Sequence, residues 1–211
     1  KRVFENDKGP NTGGMGAYSP APVITTDVEK KIISKIIQPT LKALKKKKNA
    51  YKGFLYVGLM IKNNEPYLIE YNIRMGDPEC QVILPRLKTD IIKIFNNTIS
   101  NKLLNTNINW RKEKSMTIVL CSKGYPGKYK KLIKINNLTK IKLKKNSFIY
   151  HAGTKNINED IFSNGGRVLN VTTVGKTFLK IRINIIKIIK KINWHGGFFR
   201  KDIGWRVIQN K

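Results

Sequence analysis

The 211-residue chain has only two cysteines, two histidines, three tryptophans and 13 acidic residues. Cys80 and Cys121 are too few for a disulfide scaffold and lack the spacing of a zinc site, which points to a reducing compartment, the cytoplasm. No apolar run reaches 18 residues, so no membrane-spanning helix is expected, and Lys1–Pro10 has no apolar stretch that could serve as a signal peptide. Serine, histidine and aspartate, or cysteine and histidine, do not fall together in a pattern for nucleophilic catalysis. What is abundant is lysine. There are 34 Lys against 8 Arg, with 30 Ile and 22 Asn, and the formal net charge is +29. Such a charge suggests a nucleic-acid partner. However, the Lys, Ile and Asn excess runs through the whole chain, as AT-rich codons would produce, and phosphate and base recognition favours arginine in defined places. The lysines therefore read as solvated surface, with no nucleic-acid partner expected. At 40% hydrophobic and 9% aromatic the chain should fold and bury a core. It opens on Lys1 rather than Met, which reads as a piece of a longer protein.

The pattern predicts an α/β (α+β) chain in two parts. Residues 1–20 read as a strand end followed by a glycine-rich loop. A helix should start near Thr26, with Thr26 and Glu29 as a capping box, bend at Pro39, and end on Lys45 to Lys48. Residues 53–61 and 66–72 read as a hairpin joined by 62–65. Residues 81–103 look helical, with Ile91, Ile92, Ile94 and Phe95 as core candidates. The polar stretch 104–115 marks a boundary, dividing the chain into domains 1–108 and 109–211. The second should be small and mostly β, with strands at 116–122, 133–135, 140–142, 147–151 and 167–173. One long amphipathic helix should follow over 175–192, with Phe178, Ile181, Ile185, Ile188 and Ile192 on its apolar stripe.

Two segments carry chemistry. Glu70, Asp77 and Glu79 bring three of the 13 acidic residues within ten positions. On a strand, Glu70 and Asn72 project to one face. A carboxylate and an amide carbonyl are hard oxygen ligands of the kind Mg²⁺ takes when phosphate oxygens and water complete its shell. Arg74 follows with a fork suited to phosphate or carboxylate, and Asp77 could accept a bond from an amine. In the second segment, Lys8 to Pro20, successive glycines could bring backbone N–H groups to an anion, although neither a Walker A loop nor a dinucleotide fingerprint is present.

With these residues the chain resembles the C-terminal half of the phosphoribosylamine–glycine ligase (glycinamide ribonucleotide synthetase) family of ATP-grasp enzymes. The matching stretches are KGPNTGGMGAYSP at 8–20, GFLYVGLM at 53–60, IEYNIRMGDPE at 69–79, GYPG at 124–127, HAGT at 151–154, NGGRVLNVT at 164–172 and FFRKDIGWR at 198–206. The resemblance implies that residues 1–108 are the back half of an ATP-grasp domain, with antiparallel sheet and helices, and that 109–211 are the family's C-terminal domain. An N-terminal half would be missing. It further implies ligation of glycine to 5-phosphoribosylamine with ATP as co-substrate. Glu70 and Asn72 would hold Mg²⁺ or Mn²⁺, and Arg74 and Asp77 would act on the reacting groups. Asn11, Thr12, Gly13, Gly14, Met15 and Gly16 would lie beside the acyl phosphate. Gly165, Gly166 and Arg167 would meet the ribose phosphate, and Lys1 and Arg2 the ATP phosphates. His151 reads as structural. Another ATP-grasp ligase with a different acceptor, a basic nucleic-acid-binding module and an inactive remnant are the competing readings.

Overall fold

The computed structural model describes residues 1–47 and 50–208. In chain order its elements are β1 (Arg2–Phe4), β2 (Lys8–Asn11), β3 (Gly16–Ser19), α1 (Thr26–Ile32), α2 (Gln38–Lys46), β4 (Tyr56–Lys62), β5 (Glu65–Asn72), α3 (Cys80–Ile83) and α4 (Ile91–Ile99). They continue as β6 (Lys114–Ser122), β7 (Ser147–His151), β8 (Thr154–Ile157), β9 (Asp160–Ser163), β10 (Arg167–Gly175), α5 (Phe178–Ile189), β11 (Gly197–Phe198) and α6 (Trp205–Ile208). Every strand pairing is antiparallel. The mixed helix and antiparallel sheet agrees with the class expected from sequence. Among the described residues no helix is long and apolar enough to cross a membrane.

The compact units are interleaved in sequence. The larger holds Lys1–Pro20, Asp77–Arg86 and the described residues from Arg111 onward; the smaller holds Ala21–Gly76 and Leu87–Trp110, apart from the undescribed pair 48–49. A single cut at residue 108 does not describe this packing, because β3 pairs with β6, from Gly16 opposite Ile118 to Ser19 opposite Ser115.

In the larger unit the main sheet runs β11-β6-β10-β7, with β3 also on β6. One face carries Met116, Ile118 and Leu120 of β6 and Leu169 and Val171 of β10, all buried with Phe178, Ile181, Ile185, Ile188 and Ile189 of α5. The stripe read from the helical spacing is thus the side that packs, and Thr177 caps the helix by accepting from Lys180 N. The opposite face gathers Val119 and Cys121 with Val3 and Met15, and α3 packs beside β3, β6 and β10. Buried hydroxyls on the sheet pair with one another: Thr172 Oγ1 donates to Thr117 Oγ1 at 2.8 Å, and Asn184 Nδ2 reaches Ser147 Oγ and Thr173 Oγ1 at 3.1 Å each.

Several expected elements differ. Residues 16–19 form a strand because β6, a hundred residues away, supplies its hydrogen bonds. Segments 133–135 and 140–142 are not strands; the first contributes a bridge of Lys134 with Phe162, and a 3-10 turn spans Leu138–Lys140. The β8–β9 hairpin and β11 were not foreseen. The long helix expected over 81–103 is broken at Leu84-Pro85-Arg86 and restarts at Asp90, whose carboxylate caps Ile92 N at 2.8 Å. Proline supplies no N–H and crowds the preceding turn.

In the smaller unit the cap of α1 is Thr25, one residue before the expected Thr26, with its hydroxyl accepting from Val28 N. A π-helical turn at Ile33–Ile37 precedes Pro39 and absorbs the lost hydrogen bond before α2 continues. Of the lysine run expected to close the helix, Lys45 and Lys46 lie in its last turn and Lys48 lies outside the described residues. The β4–β5 hairpin turns through Asn63 and Asn64, both left-handed at φ 51° and 58°, as a two-residue I′ connection demands. Lys31 and Lys35 both pair with Glu65 at the end of this hairpin. Ile92 and Phe95, expected in a core, are exposed on α4; Phe95 meets the edge of Phe54. Met60, Ile69, Ile73, Ile99 and Leu104 are each more than half exposed.

Burial at Cys121 has a chemical consequence. The side chain is fully enclosed, its sulfur lies 3.6 Å from Met15 Sδ, and burial pushes the thiol up to about 12 against the opposing pull of Arg167. Iodoacetamide at pH 8 is expected to modify Cys121 about a thousandfold more slowly in the folded chain than in urea, because the thiolate is the reactive form. Equal rates in the two states would contradict this packing.

Candidate functional site

The sequence-predicted residues fall into two groups, one in each unit. In the smaller unit β5 positions Glu70 and Asn72, and β4 supplies Gly58 and Tyr56 opposite them. These four share one face of the hairpin. The register steps from Gly58 opposite Glu70 to Leu59 opposite Leu68, leaving Ile69 as the extra residue of a bulge. A Cβ on Gly58 would come within 2.8 Å of Glu70 Cγ, so glycine there leaves room for the carboxylate stem. Glu70 is exposed and Asn72 half-buried. Arg74, just past the strand, donates to Asn72 Oδ1 at 3.4 Å and to the carbonyl of Met75 at 2.8 Å.

Among the described residues no group of three or more His, Cys, Asp or Glu is placed to cage a metal. One carboxylate and one amide oxygen side by side, open to solvent, form a donor set too sparse for a structural ion. They suit a hard divalent cation that takes most of its shell from phosphate and water. The residues present therefore fit the group that the sequence implied.

In the larger unit the structure brings together three distant segments: the glycine-rich loop, Asp77 and Arg167. Arg167, at the start of β10, donates to Asp77 Oδ2 at 2.7 Å, to the Asp77 carbonyl at 2.9 Å and to the Gly14 carbonyl at 3.4 Å. Gln81 Nε2 donates to Asp77 Oδ1 at 3.0 Å. Both carboxylate oxygens of Asp77 are thus engaged from known directions.

The loop glycines have a reason that the sequence did not reveal. Gly13, Gly14 and Gly16 are not left-handed; other groups approach the chain closely at each of them. A Cβ on Gly13 would lie 2.9 Å from Arg167 Cζ, one on Gly14 2.4 Å from Pro78 Cδ, and one on Gly16 2.7 Å from the Thr117 carbonyl. Met15 is buried, Asn11 is exposed, and Thr12 N donates to the Lys1 carbonyl at 2.9 Å. The Thr12 hydroxyl and Gln81 Oε1 are buried without a hydrogen-bond partner, so each retains unused capacity.

Gly165 and Gly166 likewise serve close packing. Ser122 donates to both carbonyls at 2.8 Å, from Oγ to Gly165 and from N to Gly166. A Cβ on Gly166 would strike the Tyr125 ring, and Gly153 of the HAGT stretch lies against Gly165. His151 Nδ1 lies 2.9 Å from Thr154 Oγ1. Lys1 pairs with Glu79 at 3.3 Å, and Arg2 donates to the Gly9 carbonyl at 2.9 Å.

The sequence reading missed a cluster built on Arg200. This side chain is 6% exposed and is held by Asp202, Asp7 and the Arg2 carbonyl. Burial raises the Asp7 and Asp202 carboxyls, but their hydrogen bonds and charge contacts with arginine outweigh it and leave both below the ordinary value. The missed signal was scarcity: in a chain where lysine outnumbers arginine 34 to 8, an arginine marks a place where a fork is needed. Arg86, Arg167 and Arg200 each donate to several carboxylate, hydroxyl or carbonyl oxygens that a single ammonium could not serve together.

Known proteins resemble this chain along its length. Residues 1–80 match the family model described as phosphoribosylglycinamide synthetase, ATP-grasp (A) domain, and residues 115–206 match the C domain of the same synthetase. The chain is 43% identical over its full length to a chloroplastic phosphoribosylamine–glycine ligase of Arabidopsis thaliana, covering 40% of that protein. It is 43% identical over 99% of its length to a phosphoribosylamine–glycine ligase of Agrobacterium fabrum, covering 49% of it. The chain thus spans about half the length of the curated relatives it matches. The crystal structure of the Thermotoga maritima phosphoribosylamine–glycine ligase superposes with a TM-score of 0.83 at 33% identity, over 96% of this chain and 49% of that one. The biotin carboxylase domain of Hydrogenobacter thermophilus 2-oxoglutarate carboxylase, at 14% identity and a TM-score of 0.62, shares the fold. With one family model on each side of residues 81–114, and relatives of one name along its whole length, the chain belongs to the phosphoribosylglycinamide synthetase family.

Proposed function

We propose that this chain supplies the metal-binding and acceptor-side residues of an ATP-dependent ligase that joins glycine to 5-phosphoribosylamine, forming glycinamide ribonucleotide, ADP and phosphate. The observation that carries the reading is the shared face of Glu70 and Asn72 on β5, with Arg74 next to Asn72. The names of its relatives supply the substrates. The boundary between the two family domains is put near residue 108, within the stretch that neither family model matches. The partner this half requires is the N-terminal half of the same enzyme, and its compartment is the cytoplasm.

The chemistry proceeds in two steps. A glycine carboxylate oxygen attacks the γ-phosphorus of ATP, the bond to the β-phosphate oxygen breaks, and ADP leaves with glycyl phosphate formed. The amine of phosphoribosylamine then attacks the acyl carbon, phosphate departs and the nitrogen loses a proton. Glu70 and Asn72 would hold Mg²⁺ or Mn²⁺, which when bound offsets the negative charge of the ATP phosphates. Arg74 steadies the transferring phosphoryl group or the glycine carboxylate through its planar fork. Asp77 accepts from the attacking amine. Arg167, already committed to Asp77, aims that carboxylate and braces Gly13 and Gly14. The loop from Asn11 to Gly16 shapes the wall beside the acyl phosphate, and Lys1 and Arg2 add positive charge near the ATP phosphates. No protein nucleophile is needed; positioning and charge neutralisation carry the rate.

The test is phosphate release from ATP, with phosphoribosylamine generated in situ, on this chain and on a protein extended to the length of its relatives. Release that requires both glycine and phosphoribosylamine is expected from the extended protein. Glycine-dependent release indifferent to phosphoribosylamine would shift the reading to another acceptor. No glycine dependence in a folded extended protein would end it.

A further inference from the structure

We infer that Arg200 and Asp202, in the FFRKDIGWR stretch near the C-terminus, are positioning residues that set the glycine-rich loop through the hairpin preceding it. The hairpin of β1 and β2 ends at Asn11, and the loop begins at Thr12. Asn6 and Asp7 are consecutive left-handed residues, at φ 57° and 54°, and neither is glycine. Asn and Asp tolerate this region, so the placement of the turn is set by its surroundings.

Those surroundings come from the C-terminal stretch. Arg200 makes a two-point fork with Asp202, Nε to Oδ1 at 2.9 Å and Nη2 to Oδ2 at 2.8 Å. The same guanidinium reaches across to Asp7 Oδ1 at 3.1 Å and to the carbonyl of Arg2 at 2.9 Å. Asp202 in turn accepts from Asn6 N at 2.9 Å, inside the left-handed turn. Lys201 N donates to Glu5 Oε1 at 3.0 Å, and Arg206 Nη2 donates to Asp7 Oδ2 at 2.7 Å. Every residue of the turn is therefore gripped from 200–206, and Phe198 packs against Phe4 with ring centroids 6.1 Å apart.

The grip is transmitted to the loop. Arg200 fixes the Arg2 carbonyl, the neighbouring Lys1 carbonyl takes Thr12 N at 2.9 Å, and Gly16 lies against Ile203. A cavity of about 180 Å³ in the same unit is lined by Arg2, Gly14, Gly16, Tyr18 and Arg200. Arg200 thus acts at the back of the loop without being available to a ligand, since its donors are already committed.

The positioning itself does not depend on the ligase reading; its effect on catalysis does. Amide hydrogen exchange should be measured on this chain, on Arg200→Lys and on Asp202→Asn. Lysine keeps the charge but cannot make the fork, and asparagine keeps the shape but not the charge. Both variants are expected to exchange about tenfold faster over residues 2–16, with β6 and α5 protected as before. No change over 2–16 would overturn the proposal. So would a loss of protection spread equally over β6, α5 and the hairpin, which would mark a general stability role or a failure to fold. In the extended enzyme, Arg200→Lys should lower kcat about tenfold while KM for glycine stays within about twofold. A rise in KM for glycine with kcat unaltered would overturn the loop-specific claim. An extended wild-type protein without ligase activity would strike the ligase reading, and the exchange result would still decide the positioning.

Discussion

Glu70→Gln, in a protein extended to the length of its relatives, should lower ATP-dependent phosphate release by roughly 10²–10³-fold, about 3–4 kcal/mol of transition-state stabilisation. The argument is local. Glu70 is exposed on β5, opposite Gly58, and shares its face with Asn72. Glutamine preserves size and shape, so the hairpin should keep its register and Gly58 should still clear the Cγ. Surface changes of this kind leave stability within about 0.5 kcal/mol. What is removed is an anionic oxygen, and with it half of the proposed donor set, which has little redundancy. The rate should also become harder to saturate with Mg²⁺, because the remaining amide of Asn72 is a weak ligand alone. Unchanged activity and unchanged Mg²⁺ dependence in a variant that melts like the parent would remove Glu70 from the metal site. Gly58→Val supplies a second approach to the same carboxylate, since the added side chain would meet Glu70 Cγ directly.

Much of this site could be read before the structure, and the reason is that its signals are local. Glu70, Asn72 and Arg74 lie within five residues on one strand and its exit, so period-two alternation alone places the first two together. The α5 stripe was legible for the same reason. What escaped depended on partners far away in sequence. Residues 16–19 read as loop because glycine and proline surround them, yet β6 recruits them as a strand. The loop glycines suggested backbone bonds to an anion; what the sequence did not show is that Arg167, Pro78 and Thr117 approach the chain there. For Arg167 the resemblance implied a phosphate contact, and the structure adds its fork to Asp77. Ile92 and Phe95 show the opposite failure, where a helical apolar pattern was present but the described residues leave both side chains exposed. Arg200 could have been found by asking why a lysine-rich chain spends one of eight arginines there.

The largest stability effect should come from Ile185→Ala, a loss of about 3–4 kcal/mol. Ile185 is fully buried at the centre of α5, in the cluster that joins this helix to Met116, Ile118, Leu169 and Val171 of the sheet. Truncation removes the transfer free energy of the lost methylenes and methyls and adds a cavity that a β-sheet backing cannot collapse to fill. For a chain of this size the melting temperature should fall by roughly 10 °C. Ile183→Ala is the matched control: the same helix, the same side chain, similar propensity change, but 45% exposed. Its expected loss is below about 1 kcal/mol. The pair separates packing from helix propensity, because only burial differs between them. Equal destabilisation by both would mean that α5 is held by its own helical preference rather than by the sheet. A silent Ile185→Ala would mean that the stripe does not face β6 and β10.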